Sequence, residues 1–204
     1  MAGAPAATTP VLLDTNAYLR LAKRVRPLLG LPFGQKRYVL TVLPDVEAEV
    51  HASARLRFRY PWFDADAELV RERLARRVRL SADEREQIEI AAGVLHDAVL
   101  QDVARFLHGG RSPPGPTDCR VLAFGLVKGA IVATDDLGMH VLAVEFKLAV
   151  WHGWELLAKL RSAKVAGDDL VREIYAALEA NGDLPASWRE ARHGALAKVF
   201  ARGG

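Results

Sequence analysis

Two short apolar runs, far apart in the chain and each ending in acid, constrain the fold more than any other feature. Val11-Leu12-Leu13 stops at Asp14, and Ala130-Ile131-Val132-Ala133 stops at Thr134-Asp135-Asp136. An apolar run without alternation is the pattern of a strand covered on both faces, as in a parallel sheet. The polar residues that close each run then stand at the carboxyl end of a strand. In an open α/β sheet the crevice outside those ends is where ligands bind. Carboxylates crowded there repel one another, and a hard divalent cation with oxygen ligands relieves the repulsion. The two runs therefore predict a parallel sheet with a magnesium or manganese site at its edge.

Strands and helices alternate along the rest of the chain. Asn16 to Arg26 carries Leu19, Leu21, Ala22 and Val25 at loosely helical spacing and is ended by Pro27 and Gly30. Tyr38 to Leu43 reads as a second strand, and Pro44 opens a helix with Asp45 in its acidic first turn. Glu47 and Glu49 project on different sides of that helix, so only one of them can look into the crevice. Arg55, Arg57 and Arg59 alternate with Leu56 and Phe58 ahead of Tyr60-Pro61-Trp62-Phe63. Basic residues interleaved with aromatics either grip an RNA strand or form an ordinary helix surface over core aromatics.

Ala65 to Arg79 reads as a helix with Leu69, Leu74 and Val78 inward and Arg71, Arg73, Arg76 and Arg77 on its solvated face. Ser81 and Glu84 form a capping box for a helix that buries Ile88, Ala92, Leu95, Val99, Val103 and Phe106 and closes at Gly109-Gly110. Thr117 is placed to cap the next helix, with Asp118 in the first turn, where the helix dipole favours negative charge. Phe146 to Trp151 suggests a further strand. After Gly167 the pattern is a polar helical hairpin, its first helix capped by Asp168 and its second by the Ser187 and Glu190 box.

Composition narrows the classes. The chain has 204 residues, half of them hydrophobic, enough for one domain with its own core. A net charge of +3 permits nucleic acid as a partner without demanding it. Cys119 is the single cysteine, which excludes an internal disulfide and a cysteine-rich zinc site and fits a reducing, cytoplasmic setting. No run reaches the roughly 20 apolar residues of a membrane helix. The six histidines show no pairing at zinc-ligand spacing. Residues 1–10 lack a basic start and an apolar stretch and read as a disordered lead-in.

Four stretches in this order carry a resemblance: Val11-Leu-Leu-Asp14-Thr-Asn16, Leu43-Pro44-Asp-Val-Glu-Ala-Glu49-Val50, Pro116-Thr-Asp118-Cys-Arg-Val-Leu-Ala123 and Val132-Ala-Thr134-Asp-Asp136. Together they resemble the PIN domain family, metal-dependent nucleases that include the VapC-type toxins. The resemblance implies a three-layer α/β/α fold with a parallel sheet of about four or five strands in the order 3-2-1-4-5. It spans residues 11–164, with a helical insert over 60–110 and a helical C-terminal appendage over 165–204.

It implies Asp14, Glu49, Asp118 and Asp136 as the catalytic, metal-holding acids for Mg2+ or Mn2+. Glu49 is preferred to Glu47 because it falls in the family's place, five residues after Pro44. Asp136 takes the last acid position, with Asp135 at the variable one. Asn16 and Thr134 would support the acids by hydrogen bonding.

The activity implied is hydrolysis of RNA by an endoribonuclease, with RNA as substrate and Arg55, Arg57 and Arg59 as contacts to it. An antitoxin protein or a second copy of the chain would be its partner if it is a toxin. The insert and the tail depart from the small toxins of the family, which leaves a nuclease of RNA processing, or a non-cleaving module that binds RNA or a partner, as alternatives. A haloacid-dehalogenase-like phosphatase fits poorly, since it needs a second aspartate where Asn16 stands.

Overall fold

The structure is a computed structural model that describes residues 7–107, 110 and 112–201. Strand β1 (Thr9–Leu13) is the centre of a five-stranded sheet. It pairs in parallel with β3 (Tyr38–Thr41) on one side and with β4 (Ile131–Ala133) on the other; β5 (Val150–Trp151) extends β4 in parallel. A short β2 (Pro32–Phe33) closes the far edge antiparallel to β3, so the order is 2-3-1-4-5 rather than 3-2-1-4-5. The difference lies at one edge: Gly34 and Arg37 at positive φ turn the chain between the two strands, so β2 and β3 form a hairpin and not a crossover. Thr9 and Pro10, read as part of the lead-in, belong to β1.

Side-chain alternation along β1 builds the layers. Val11 and Leu13 enter one apolar cluster and Leu12 the other, all three with no exposure. The first cluster is covered by α1 (Thr15–Leu21), α9 (Gly153–Ser162), α10 (Asp168–Ala180), α11 (Ala186–His193) and α12 (Ala197–Phe200). The second is covered by α6 (Ala82–Gln101), α7 (Pro116–Lys128) and α8 (Leu137–Glu145). The remaining helices, α2 (Asp45–Ala52), α3 (Ala54–Arg59), α4 (Trp62–Ala65) and α5 (Ala67–Arg76), follow β3. The result is an α/β/α sandwich. Among the described residues no helix is long and apolar enough to cross a membrane.

Several boundaries and faces differ from the sequence reading. The stretch after β3 belongs to the sandwich, since Leu69 of α5 and Ile88 of α6 are both core residues. The helix capped by Ser81 and Glu84 breaks at Asp102, whose backbone leaves helical geometry, and Val103–Phe106 continues as a 3-10 turn; Gly109 of the expected closing pair lies outside the described residues. Gly115, not Thr117, is the N-cap of α7, with Pro116 at the first helical position, where its missing N–H costs nothing. Gly167 and Pro185, not Asp168 and Ser187, precede α10 and α11.

On α5 the inward residues are Leu69 and Arg73, one turn apart, while Leu74 is 55% exposed. Arg73 lies over the Phe63 ring at 3.7 Å, donates to the Phe63 carbonyl and pairs with Glu47, so its charge is buried with its partners. The tail that reads as an appendage is part of the core: Trp188, Tyr175 and Ile174 are fully buried in the cluster that holds Leu13.

Candidate functional site

The register that aligns Leu13 with Ala133 brings the residues after each strand side by side at the sheet's carboxyl edge. Asp14 leaves β1 as the N-cap of α1, its Oδ1 accepting from Ala17 N and its Oδ2 from the Thr134 hydroxyl. The same hydroxyl oxygen accepts from Asp136 N at 3.1 Å. Asp136 is in turn the N-cap of α8, its Oδ1 accepting from Met139 N at 3.0 Å. From the loop before α7, Gly115 N donates to Asp118 Oδ2 at 2.9 Å. Glu49, on the crevice side of α2, accepts a hydrogen bond at Oε2 from the hydroxyl of Thr15, the residue after Asp14. Four acids from separate stretches thus each accept at least one hydrogen bond, from within their own turn or from a neighbouring stretch.

Their electrostatics register the crowding. Asp118 is pushed up to about 6, first by burial and then by the negative charges of Asp136 and Glu49, against the stabilising Gly115 N–H. Asp14 is raised further, to about 7: burial dominates, the nearby Asp135 adds to it, and the hydrogen bonds from Thr134 and Ala17 oppose it. Among the described residues, however, no three His, Cys, Asp or Glu side chains stand close enough together to hold a metal ion as they are. Charge repulsion acts over a longer reach than direct ligation. One oxygen each of Asp118, Asp136 and Glu49 carries no hydrogen bond among the described residues. Hard, uncommitted carboxylate oxygens are the donor chemistry that suits magnesium or manganese.

The other expected residues divide. Glu47 is turned away, bound by Arg73 at 3.3 Å and Arg77 at 2.7 Å. Asn16 is exposed with no side-chain hydrogen bond among the described residues, and it is Thr15 beside it whose hydroxyl donates to Glu49. Asp135 does not support the acids from the crevice. It is buried and accepts from Arg20 Nη1 at 2.8 Å, Gly153 N at 3.0 Å and Trp188 Nε1 at 3.0 Å. Burial pushes its carboxyl up, yet His152, Arg20, Gly153 N–H and Trp188 together hold it below the usual range. Gly153 is required there, since a Cβ would come within 2.8 Å of both Asp135 Oδ2 and Trp188 Cζ2.

Arg55 and Arg57 lie exposed on α3, whereas Arg59 reaches the Asn181 carbonyl at 3.0 Å. The part sequence reasoning missed is the Arg20 brace. A lone arginine inside the apolar run Tyr18-Leu19-Arg20-Leu21 was the signal that a buried carboxylate waits for it. A groove of about 310 Å³ is lined by Asp135, Asp136, Gly138, Asp183, Ser187 and Arg189 among others; of the four acids, Asp136 alone reaches it.

Fold and site together define a three-layer α/β/α protein with an acid-rich crevice at the carboxyl edge of its parallel strands. No protein-family model matches the chain, and no curated protein does. Among solved structures it is similar to VapBC-1 from nontypeable Haemophilus influenzae, at 18% identity and a TM-score of 0.43, covering 71% of this chain and 98% of that one. It is also similar to VapBC2 from Rickettsia felis bound to a DNA fragment from its promoter, at 16% identity and a TM-score of 0.42, with the same coverage of 71% and 98%. Both likenesses are distant.

Proposed function

We propose that the chain is a metal-dependent endoribonuclease of the PIN type. The observation that supports this reading is that Asp118 feels the charges of both Asp136 and Glu49, while the Thr134 hydroxyl that holds Asp14 also accepts from Asp136 N. Acids that repel one another at a ligand-binding edge are costly to keep unless something positive uses them. Asp14, Asp118 and Asp136, with Glu49, would hold a magnesium or manganese ion through their carboxylate oxygens. When bound, the ion supplies charge neutralisation at a phosphodiester and a water of lowered pKa.

The chain's own residues supply the rest. The Thr134 hydroxyl fixes the Asp14 carboxylate and caps the turn into Asp136, so two ligands share one support. Thr15 holds Glu49 Oε2 and leaves Oε1 able to accept a hydrogen bond from water. Arg189, exposed on the wall of the groove that contains Asp136, offers a cation to a phosphate of the substrate. The toxin role and an antitoxin or second-copy partner belong to the same proposal and rest on motif analogy alone.

The test is RNA cleavage with magnesium or manganese by the wild type, Asp14→Asn and Asp118→Asn. Each substitution should lower the rate on the order of a hundredfold or more, at least the cost of losing a residue that merely supports a metal ligand. A wild type that binds RNA and cuts it with neither metal would make the chain a binding module.

A further inference from the structure

Away from the acids, four cations surround a second cavity. Between α1, the turn from α3 into α4 and the end of α10 lies a space of about 420 Å³, its wall carrying Arg20, Lys23, Arg24 and Arg59 against one carboxylate, Asp183. That carboxylate is already saturated: Arg20 Nη2 stands 3.2 Å from Oδ1, Arg59 Nη2 3.7 Å from it, and the Tyr60 hydroxyl donates to Oδ2 at 3.2 Å.

Arg20 is paired with Asp135 and Asp183, Arg59 with Asp183 and Arg24 with Glu173, so the charge left without a counter-ion is that of Lys23. Lys23 is exposed and its ammonium has no partner among the described residues. Arg24 Nε is buried without a hydrogen bond, with Glu173 Oε1 standing 3.5 Å off. The same wall presents the rings of Tyr60 and Trp62, set edge to face with centroids 6.0 Å apart. An uncompensated lysine flanked by two arginines draws a phosphate, aromatic rings stack on a base, and the volume is in the range of small-ligand sites.

We propose that this cavity binds a nucleotide, its phosphate at Lys23, Arg24 and Arg59 and its base against Tyr60 and Trp62. Asp183 also lines the groove beside Asp136, so the two spaces share a wall. The ligand is either a free nucleotide or one unit of an RNA strand that continues towards the acids. Binding here does not depend on cleavage, so the proposal stands or falls apart from the nuclease reading.

The experiment is isothermal titration calorimetry on the full chain without divalent metal, using adenosine 5′-monophosphate, adenosine, inorganic phosphate and a short single-stranded RNA. The monophosphate or the RNA should bind, with adenosine and phosphate each weaker by about tenfold or more. Lys23→Glu, at an exposed position whose loss leaves the fold intact, and Trp62→Leu should each weaken binding by about tenfold. RNA binding well above the monophosphate with the same sensitivity to Lys23→Glu identifies a strand as the ligand; equal binding identifies a free nucleotide; both uphold the site. Absence of binding for both ligands, binding that Lys23→Glu leaves unchanged, or phosphate binding as tight as the monophosphate overturns it.

Discussion

The Thr134 hydroxyl donates to Asp14 Oδ2, joining two residues 120 apart in sequence at the ends of neighbouring parallel strands. The bond favours the charged form of a carboxylate that burial would otherwise keep protonated. Thr134→Val keeps the shape and removes the donor. It should destabilise the protein by about 1–3 kcal/mol at mildly alkaline pH, where Asp14 is ionised. In mild acid, with Asp14 protonated, the loss should be smaller. Urea unfolding at both pH values checks this, and an equal cost at both would count against a charged Asp14 as the acceptor.

Asp14 and Asp118, raised to about 7 and about 6, give stability a predictable sign. An acid whose folded pKa lies above its unfolded one holds more protons folded than unfolded between those two values. Stability therefore falls as pH rises through that interval, and the full cost remains above the folded pKa. The melting temperature contributed by these groups should decline from about pH 4 to about pH 7. Asp14→Asn should flatten the profile and melt above the wild type at alkaline pH. Magnesium or manganese, which needs the ionised acids, should raise the wild-type melting temperature at alkaline pH and much less in acid. A variant profile parallel to that of the wild type, in melts followed by circular dichroism, would refute the assignment.

Glu47 and Glu49 lie on one helix with different partners, Arg73 and Arg77 for the first and Thr15 for the second. Glu47→Gln removes one charged partner from buried Arg73 and should cost about 1–3 kcal/mol of stability. Once folded, that variant should keep its metal-dependent stabilisation. Glu49→Gln should leave stability nearly unchanged and weaken both metal binding and cleavage. Paired melting and cleavage assays on the two variants separate the roles, and a swap of the two phenotypes would reverse them.

The last helices are structural. Trp188, fully buried, donates its indole N–H to Asp135, and Arg20 reaches both Asp135 and Asp183. Trp188→Ala should cost about 3–5 kcal/mol. Truncation after Gly167 removes Trp188 and Asp183 together and should yield an insoluble or unfolded product. A truncated chain with an unchanged melting temperature would restore the idea of a detachable tail.

What the sequence made legible was local. Leu13-Asp14 and Ala133-Thr134 end strands in a pattern readable within a few residues, so the sheet centre and the acids at its edge could be foreseen. The 2-3 hairpin at the far edge was not, because two residues, Pro32 and Phe33, are too short a strand to leave a period. Arg73 read as solvated because helical spacing marks a face, while the ring of Phe63 and the carboxylate of Glu47 that draw it inward come from other elements. Asp135 read as a neighbour of the site for the same reason: its partners Arg20 and Trp188 are 115 and 53 residues away. Distant pairing of buried charges leaves no mark on either segment alone.

The central claim is that acids from four stretches of chain share one cation. Anomalous scattering from a crystal soaked in manganese tests it most directly. A peak is expected in the crevice, bound by oxygens of Asp14 and Asp118, with Asp136 or Glu49 completing the set. Manganese bound elsewhere on the protein, with that crevice empty and its carboxylates still held in their helix caps, would contradict it.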